Sequence, residues 1–125
     1  MSAENRWRER LARLVAPQHQ VHAEQERETA HKLGGAPIAQ LPDRSRARVC
    51  GTLRSVTLRP RAGVPALEAE LYDGSGSLSV VWLGRRQING VEPGRRVRVE
   101  GMVTDSNGVR VMFNPRYELV PRARD

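Results

Sequence analysis

The sequence predicts a mainly β protein, a small five-stranded barrel (residues 37–125) preceded by an α-helical arm (residues 1–36). Three observations carry this reading. The hydrophobic period changes from about 3.6 residues to two near residue 43, just after a stretch holding Pro37 and Pro42. The apolar residues of the second half fall into five short alternating runs. Glycine-containing turns separate these runs, foremost Asp73-Gly74-Ser75-Gly76 and Asp105-Ser106-Asn107-Gly108. With 125 residues, 38% of them apolar, the chain has material for one hydrophobic core and no more.

In chain order, residues 2–16 read as an amphipathic helix. Trp7, Leu11, Leu14 and Val15 follow the i, i+4, i+7, i+8 spacing, with Arg6, Arg10 and Arg13 on another face. Pro17 lacks the N–H that a helix interior uses, so the helix is expected to end or kink there. Residues 18–33 are rich in Gln, Glu, His and Arg and make at most a solvated helix that stops at Gly34-Gly35, less firmly held than the apolar stripe. Residues 36–43 read as a linker.

The first strand spans about 46–58, with Val49, Gly51, Leu53 and Val56 at its core positions, and residues 59–65 form a loop. The second covers about 66–72, where Leu67, Ala69 and Leu71 alternate with Glu68, Glu70 and Tyr72. After the hairpin signal at 73–76 comes the third, about 77–83, alternating Leu78, Val80 and Trp82 with Ser77, Ser79 and Val81. Residues 84–94 hold a short helix or turn. The fourth strand, about 95–104, alternates Val97, Val99, Gly101 and Val103 with Arg96, Arg98 and Glu100. The fifth runs from Val109 to about Phe113 and continues irregularly to Leu119.

This element order is that of a Greek-key OB-fold barrel, with an SH3-like barrel as the alternative. Particular residues then resemble a family. Val49-Cys50-Gly51-Thr52-Leu53, the run from Leu67 to Leu78 about its Asp-Gly-Ser-Gly turn, and Arg98-Val99-Glu100-Gly101 resemble OB-fold nucleic-acid-binding domains of the anticodon-binding type. Trp82-Leu83-Gly84-Arg85-Arg86, the Pro93-Gly94 turn and Asn114-Pro115-Arg116-Tyr117-Glu118-Leu119 are similar to a group of small actinobacterial proteins carrying that domain. The resemblance covers about residues 38–120. It implies binding of single-stranded DNA or RNA, with little sequence preference, across the face of strands two and three between the flanking loops.

Charge location bears on that expectation. Residues 1–40 carry a net +1 and residues 41–125 a net +6, and every basic residue except Lys32 is arginine. Guanidinium suits bidentate phosphate contacts and stacking on bases, although a GC-rich genome produces the same bias. Arg59 and Arg61 lie in the loop after strand one, and Arg54 extends the site on strand one with Arg48 and Thr52. On the outward parity of strands two and three are Tyr72, a base-stacking candidate, and Ser79, but also Glu68 and Glu70, which repel phosphate. Arg85 and Arg86 offer a phosphate grip after strand three. Arg96 and Arg98, joined by Arg110, are expected to form a basic ridge, unless they are a solvated outer face.

The alternative function is a non-catalytic docking module, using the barrel face or self-association through Trp7, Leu11, Leu14 and Val15. No enzyme is expected, because no nucleophile set, phosphate-cradling loop or metal cluster can be assembled. A single cysteine, Cys50, and three scattered histidines offer neither a disulfide nor a metal site, so no cofactor is expected and Cys50 is read as inert. No apolar run is long enough for a membrane span, and the charged N-terminal residues do not read as a signal peptide, which makes the expected location cytoplasmic.

Overall fold

The computed structural model describes residues 3–122, with side chains from residue 18 onward. A helix, α1 (Ala3–Lys32), leads into a 3₁₀ turn (Ile38–Gln40) and six strands. These are β1 (Ser45–Leu58), β2 (Ala66–Tyr72), β3 (Ser77–Leu83), β4 (Arg96–Ser106), β5 (Val109–Phe113) and β6 (Arg116–Leu119). Each of the five expected strands forms within a few residues of its expected bounds.

The closed barrel is the circuit β1-β2-β3-β5-β4 and back to β1. All its pairings are antiparallel except β3–β5, whose parallel ladder matches Ser79 with Val111 and Val81 with Phe113. Strand β1 is long enough to serve two neighbours. Its first half pairs β4 (Ser45 with Val103 to Thr52 with Arg96), and its second half pairs β2 (Thr52 with Tyr72 to Leu58 with Leu67). The register slips at Arg54, which has no partner, so the inward positions change from Val49, Gly51 and Leu53 to Val56 as the strand bends. The other edge of β4 is shared: β6 takes residues 97–100 and β5 takes 103–106. The irregular continuation expected after Phe113 is thus a sixth strand, set off at Asn114, which adopts a left-handed φ of 48°.

The interior holds Val49, Leu53, Leu67, Leu71, Leu78, Val80, Trp82, Val97, Val99, Val103 and Met112. Trp82 is 5% exposed, donates its indole N–H to the Pro115 carbonyl at 3.3 Å, and meets the Tyr117 ring edge-on at 5.6 Å. Between β3 and β4 the chain forms turns, not a helix, and these insert Ile88 and Val91 into the core.

Three expectations for the first 43 residues change. The helix does not end at Pro17; a single α1 runs to Lys32. The stripe of Trp7, Leu11, Leu14 and Val15 lies outside the described side chains. The stretch read as a weakly held solvated helix docks on the barrel. Ala30 is 1% exposed, Arg27 binds Asp73 at 2.7 Å, and Glu26 binds Arg96 at 2.8 Å. The helix ends in a Schellman arrangement, with Gly34 at φ 87° and the Gly35 N–H donating to the Ala30 carbonyl at 2.9 Å. Finally, the linker is a plug: Ile38 is 0% exposed and joins Leu41 in the core.

Asp73 unites these parts and is itself 0% exposed. Its Oδ1 accepts from the Ser75 N–H (2.9 Å), the Ser75 hydroxyl (2.7 Å) and the Gly76 N–H (3.1 Å), forming the hairpin turn. Its Oδ2 accepts from Arg27 of α1 (2.7 Å) and from the Ile38 N–H (3.0 Å). Gly74, at φ 90°, lets the helix approach, since a Cβ there would collide with the Ala23 carbonyl and lie 2.7 Å from the Arg27 nitrogen.

Asp73→Ala leaves a guanidinium and four hydrogen-bond donors facing a cavity, and should destabilise the protein by about 3–5 kcal/mol in denaturant unfolding. Trp82→Ala should cost a similar amount, roughly 3–5 kcal/mol, through the cavity it opens.

Candidate functional site

A shallow groove of about 460 Å³ crosses the outer face of the second half of β1, β2 and β3, from Arg59 in the 59–65 loop to Val109 beside the 105–108 turn. Strand alternation builds it. Inward Ala69 and Leu78 put Glu68, Glu70, Ser77 and Ser79 on the outside, and the slip at Arg54 turns Ser55 and Thr57 to the same face.

The groove carries its own neutralisation. Glu68 Oε2 pairs with Arg61 at 3.4 Å and its Oε1 accepts from the Ser79 hydroxyl at 3.3 Å. Glu70 Oε1 lies 3.8 Å from the Arg54 guanidinium and accepts from Ser77 at 3.2 Å. The two carboxylates expected to repel phosphate are therefore each matched by an arginine. These pairs are partly exposed and individually weak, so they yield readily to a ligand. Arg59, Arg85 and Arg86 have no ion pair among the described residues. The Gly84 N–H donates to the Pro65 carbonyl at 2.7 Å, which holds the exposed 84–86 turn against the 59–65 loop. One end of the groove is thus rimmed with arginine.

Tyr72 is placed differently from the stacking platform expected of it. The Arg54 guanidinium lies 3.4 Å from its ring centroid, and the His22 ring of α1 is near-parallel to it at 6.5 Å. Its ring is occupied by the docked helix and its neighbour. The exposed aromatic on this outer face is Phe113, 41% exposed beside Val81 and next to the groove without lining it, with the Arg61 guanidinium 5.4 Å from its centroid. Sequence reading missed it, because Val111-Met112-Phe113 is apolar throughout and shows no parity; the parallel register with β3 decides which residue faces out. Val81 is on the outward face as expected but fully buried, in a small apolar cluster with Ala66 and Val111.

The remaining candidates do not join the groove. Arg96 and Arg98 point from the opposite face of β4, where Arg96 binds Glu26 and Arg98 pairs with Glu118 at 3.6 Å. Arg110 is not on their face: it pairs with Asp105 on the inward parity and donates to the carbonyls of Leu41 (3.3 Å) and Ala39 (3.1 Å). The expected basic ridge does not form, and Arg110 instead ties β5 to the 3₁₀ plug. Cys50 is buried beside Gly35, and burial pushes its thiol pKa up, against the opposing pull of Arg98 and Arg96. Among the described residues no group of three or more His, Cys, Asp or Glu side chains is placed to hold a metal ion, and no helix is long and apolar enough to cross a membrane.

Cys50 should be silent to thiol reagents in the native protein and react fully once unfolded, because both thiolate formation and access are suppressed. Rapid labelling under native conditions would refute the packing of Gly35 on β1.

A family model described as an OB-fold nucleic acid binding domain matches residues 47–121. No curated protein matches the chain.

Proposed function

Since the chain belongs to the OB-fold nucleic acid binding domain family, we propose that its ligand is single-stranded DNA or RNA, bound along the groove through phosphates and base planes with little dependence on base order. The observation that carries this is the Arg61–Phe113 pair, joined through Glu68 to the end of the groove that Arg59 lines, with the exposed 84–86 turn held on the adjoining loop. A single strand needs cations for its backbone and flat surfaces for its unstacked bases, and both kinds of group are present together there. The role is binding, without catalysis. Duplex is disfavoured because the groove offers base-stacking surface, which paired bases cannot reach.

Binding of a fluorescent oligonucleotide tests the reading. Arg59→Ala/Arg61→Ala should weaken it and lower the slope of log affinity against log salt by about 1.4, at roughly 0.7 for each single-strand phosphate no longer neutralised. Phe113→Ala should cost about 1–3 kcal/mol, as expected when one base is no longer stacked. Arg46→Ala/Arg116→Ala, on the far face of β1, β4 and β6, should leave affinity near wild type. Equal losses from the two arginine pairs would mean diffuse attraction to a basic surface, and a protein-docking role would then account better for the groove.

A further inference from the structure

We infer that Glu68 and Glu70 are the base-reading groups of the groove, favouring bases that carry an exocyclic amino group over thymine or uracil; this rests on the groove binding a single strand as proposed above. Both carboxylates stand on the groove face of β2, two residues apart, and Glu68 is only 23% exposed. A phosphate cannot settle against them, since like charges repel most where solvent is least able to screen. The backbone is drawn instead to the arginine rim at Arg59, Arg85 and Arg86, which turns the bases toward the floor.

What a base meets there is an acceptor. An ionised carboxylate has about four lone-pair sites and no proton to give. Glu68 uses one oxygen for Ser79 at 3.3 Å and the other for Arg61 at 3.4 Å, and Glu70 directs one oxygen at Ser77, 3.2 Å away. These long contacts orient the carboxylates and leave lone pairs for a ligand. Cytosine, adenine and guanine each present an amino group that can donate to them, the pairing by which Glu and Asp read cytosine N4 in other settings. Thymine and uracil place a carbonyl where cytosine has its amino group, so acceptor would face acceptor there, and their only donor on that edge, the ring N3–H, is flanked by two carbonyls that a carboxylate repels.

The spacing adds a constraint on the ligand. Alternate residues of a strand lie roughly 6.6–6.8 Å apart, about twice the 3.4 Å rise of stacked bases in a duplex strand. Two successive bases can reach Glu68 and Glu70 together only if the strand is unstacked. The preference is therefore one of composition at two adjacent positions, compatible with little dependence on the wider sequence.

The test compares oligo-dC with oligo-dU of equal length, which differ in the group at C4 and its attendant ring proton, by fluorescence anisotropy near neutral pH. Wild type should bind oligo-dC about five- to tenfold more tightly, the lower range of discrimination by a single base contact. Glu68→Gln/Glu70→Gln should abolish the preference by raising affinity for oligo-dU more than for oligo-dC, because loss of charge helps both strands while an amide adds the donor that only the uracil carbonyl lacked, and thermal unfolding should confirm that the variant is folded. Equal binding of both oligonucleotides by wild type, or a uniform gain for both in the variant, overturns the inference: the carboxylates would then act only as repulsive charge. Binding of neither oligonucleotide by wild type overturns it together with the proposed function.

Discussion

Asp73 has no access to solvent, and a carboxylate in that position is tolerable only where donors surround it. The requirement shapes the whole N-terminal half. Three donors come from its own turn, which forms the β2–β3 hairpin; one comes from Ile38, which seats the 3₁₀ plug; one comes from Arg27, which fixes the helix. The Arg27 guanidinium also donates to the Gly35 carbonyl at 2.9 Å, so the same side chain closes the helix end onto the barrel. A hairpin, a plug and a helix that are far apart in sequence thus share one buried charge, and none of them can move without exposing it unpaired.

From that fixed point the surface is divided. Docking of α1 brings Glu26 to Arg96 and Thr52, and His22 to Tyr72. The hairpin end of the outer β2–β3 face is thereby occupied, and the available surface lies toward the 59–65 loop and β5. The arginines consequently take different roles. Arg27, Arg96 and Arg110 are structural, Arg54 and Arg61 balance the groove's carboxylates, and Arg59, Arg85 and Arg86 are left to solvent at the rim. Net charge alone treats all of these alike, whereas an arginine already committed to a buried acceptor has little left to offer a phosphate.

The groove face depends on one strand slip and one parallel ladder. Strand β1 passes from β4 to β2 at Thr52, and the slip at Arg54 just beyond turns Ser55 and Thr57 outward. Strand β5 lies between β4 and β3, and its parallel ladder with β3 sets Phe113 beside Val81 on the outer face; the break at Asn114 then frees the chain to return to β4 as β6. Irregular backbone thus supplies part of the floor, and the parallel register supplies the exposed aromatic.

Local physics made the barrel legible in the sequence. Alternation within β2, β3 and β4 separates a buried from an exposed face over a few residues, and Gly74 and Gly108 sit where turns need positive φ, so strand existence, Trp82 in the core and Glu68, Glu70 and Ser79 on the groove all follow from neighbours in the chain. Partners distant in sequence decided the rest. Residues 18–32 show too few apolar positions to announce burial, because their anchoring is electrostatic and its acceptor lies 46 residues beyond Arg27. Phe113 could be assigned to the outer face only by a register with β3, and Tyr72 could be seen as occupied only once α1 and Arg54 had been placed beside it. Burial of an apolar side chain is written into a local pattern, but the pairing of a charge or the register of a parallel strand is fixed by whatever the closed chain brings opposite.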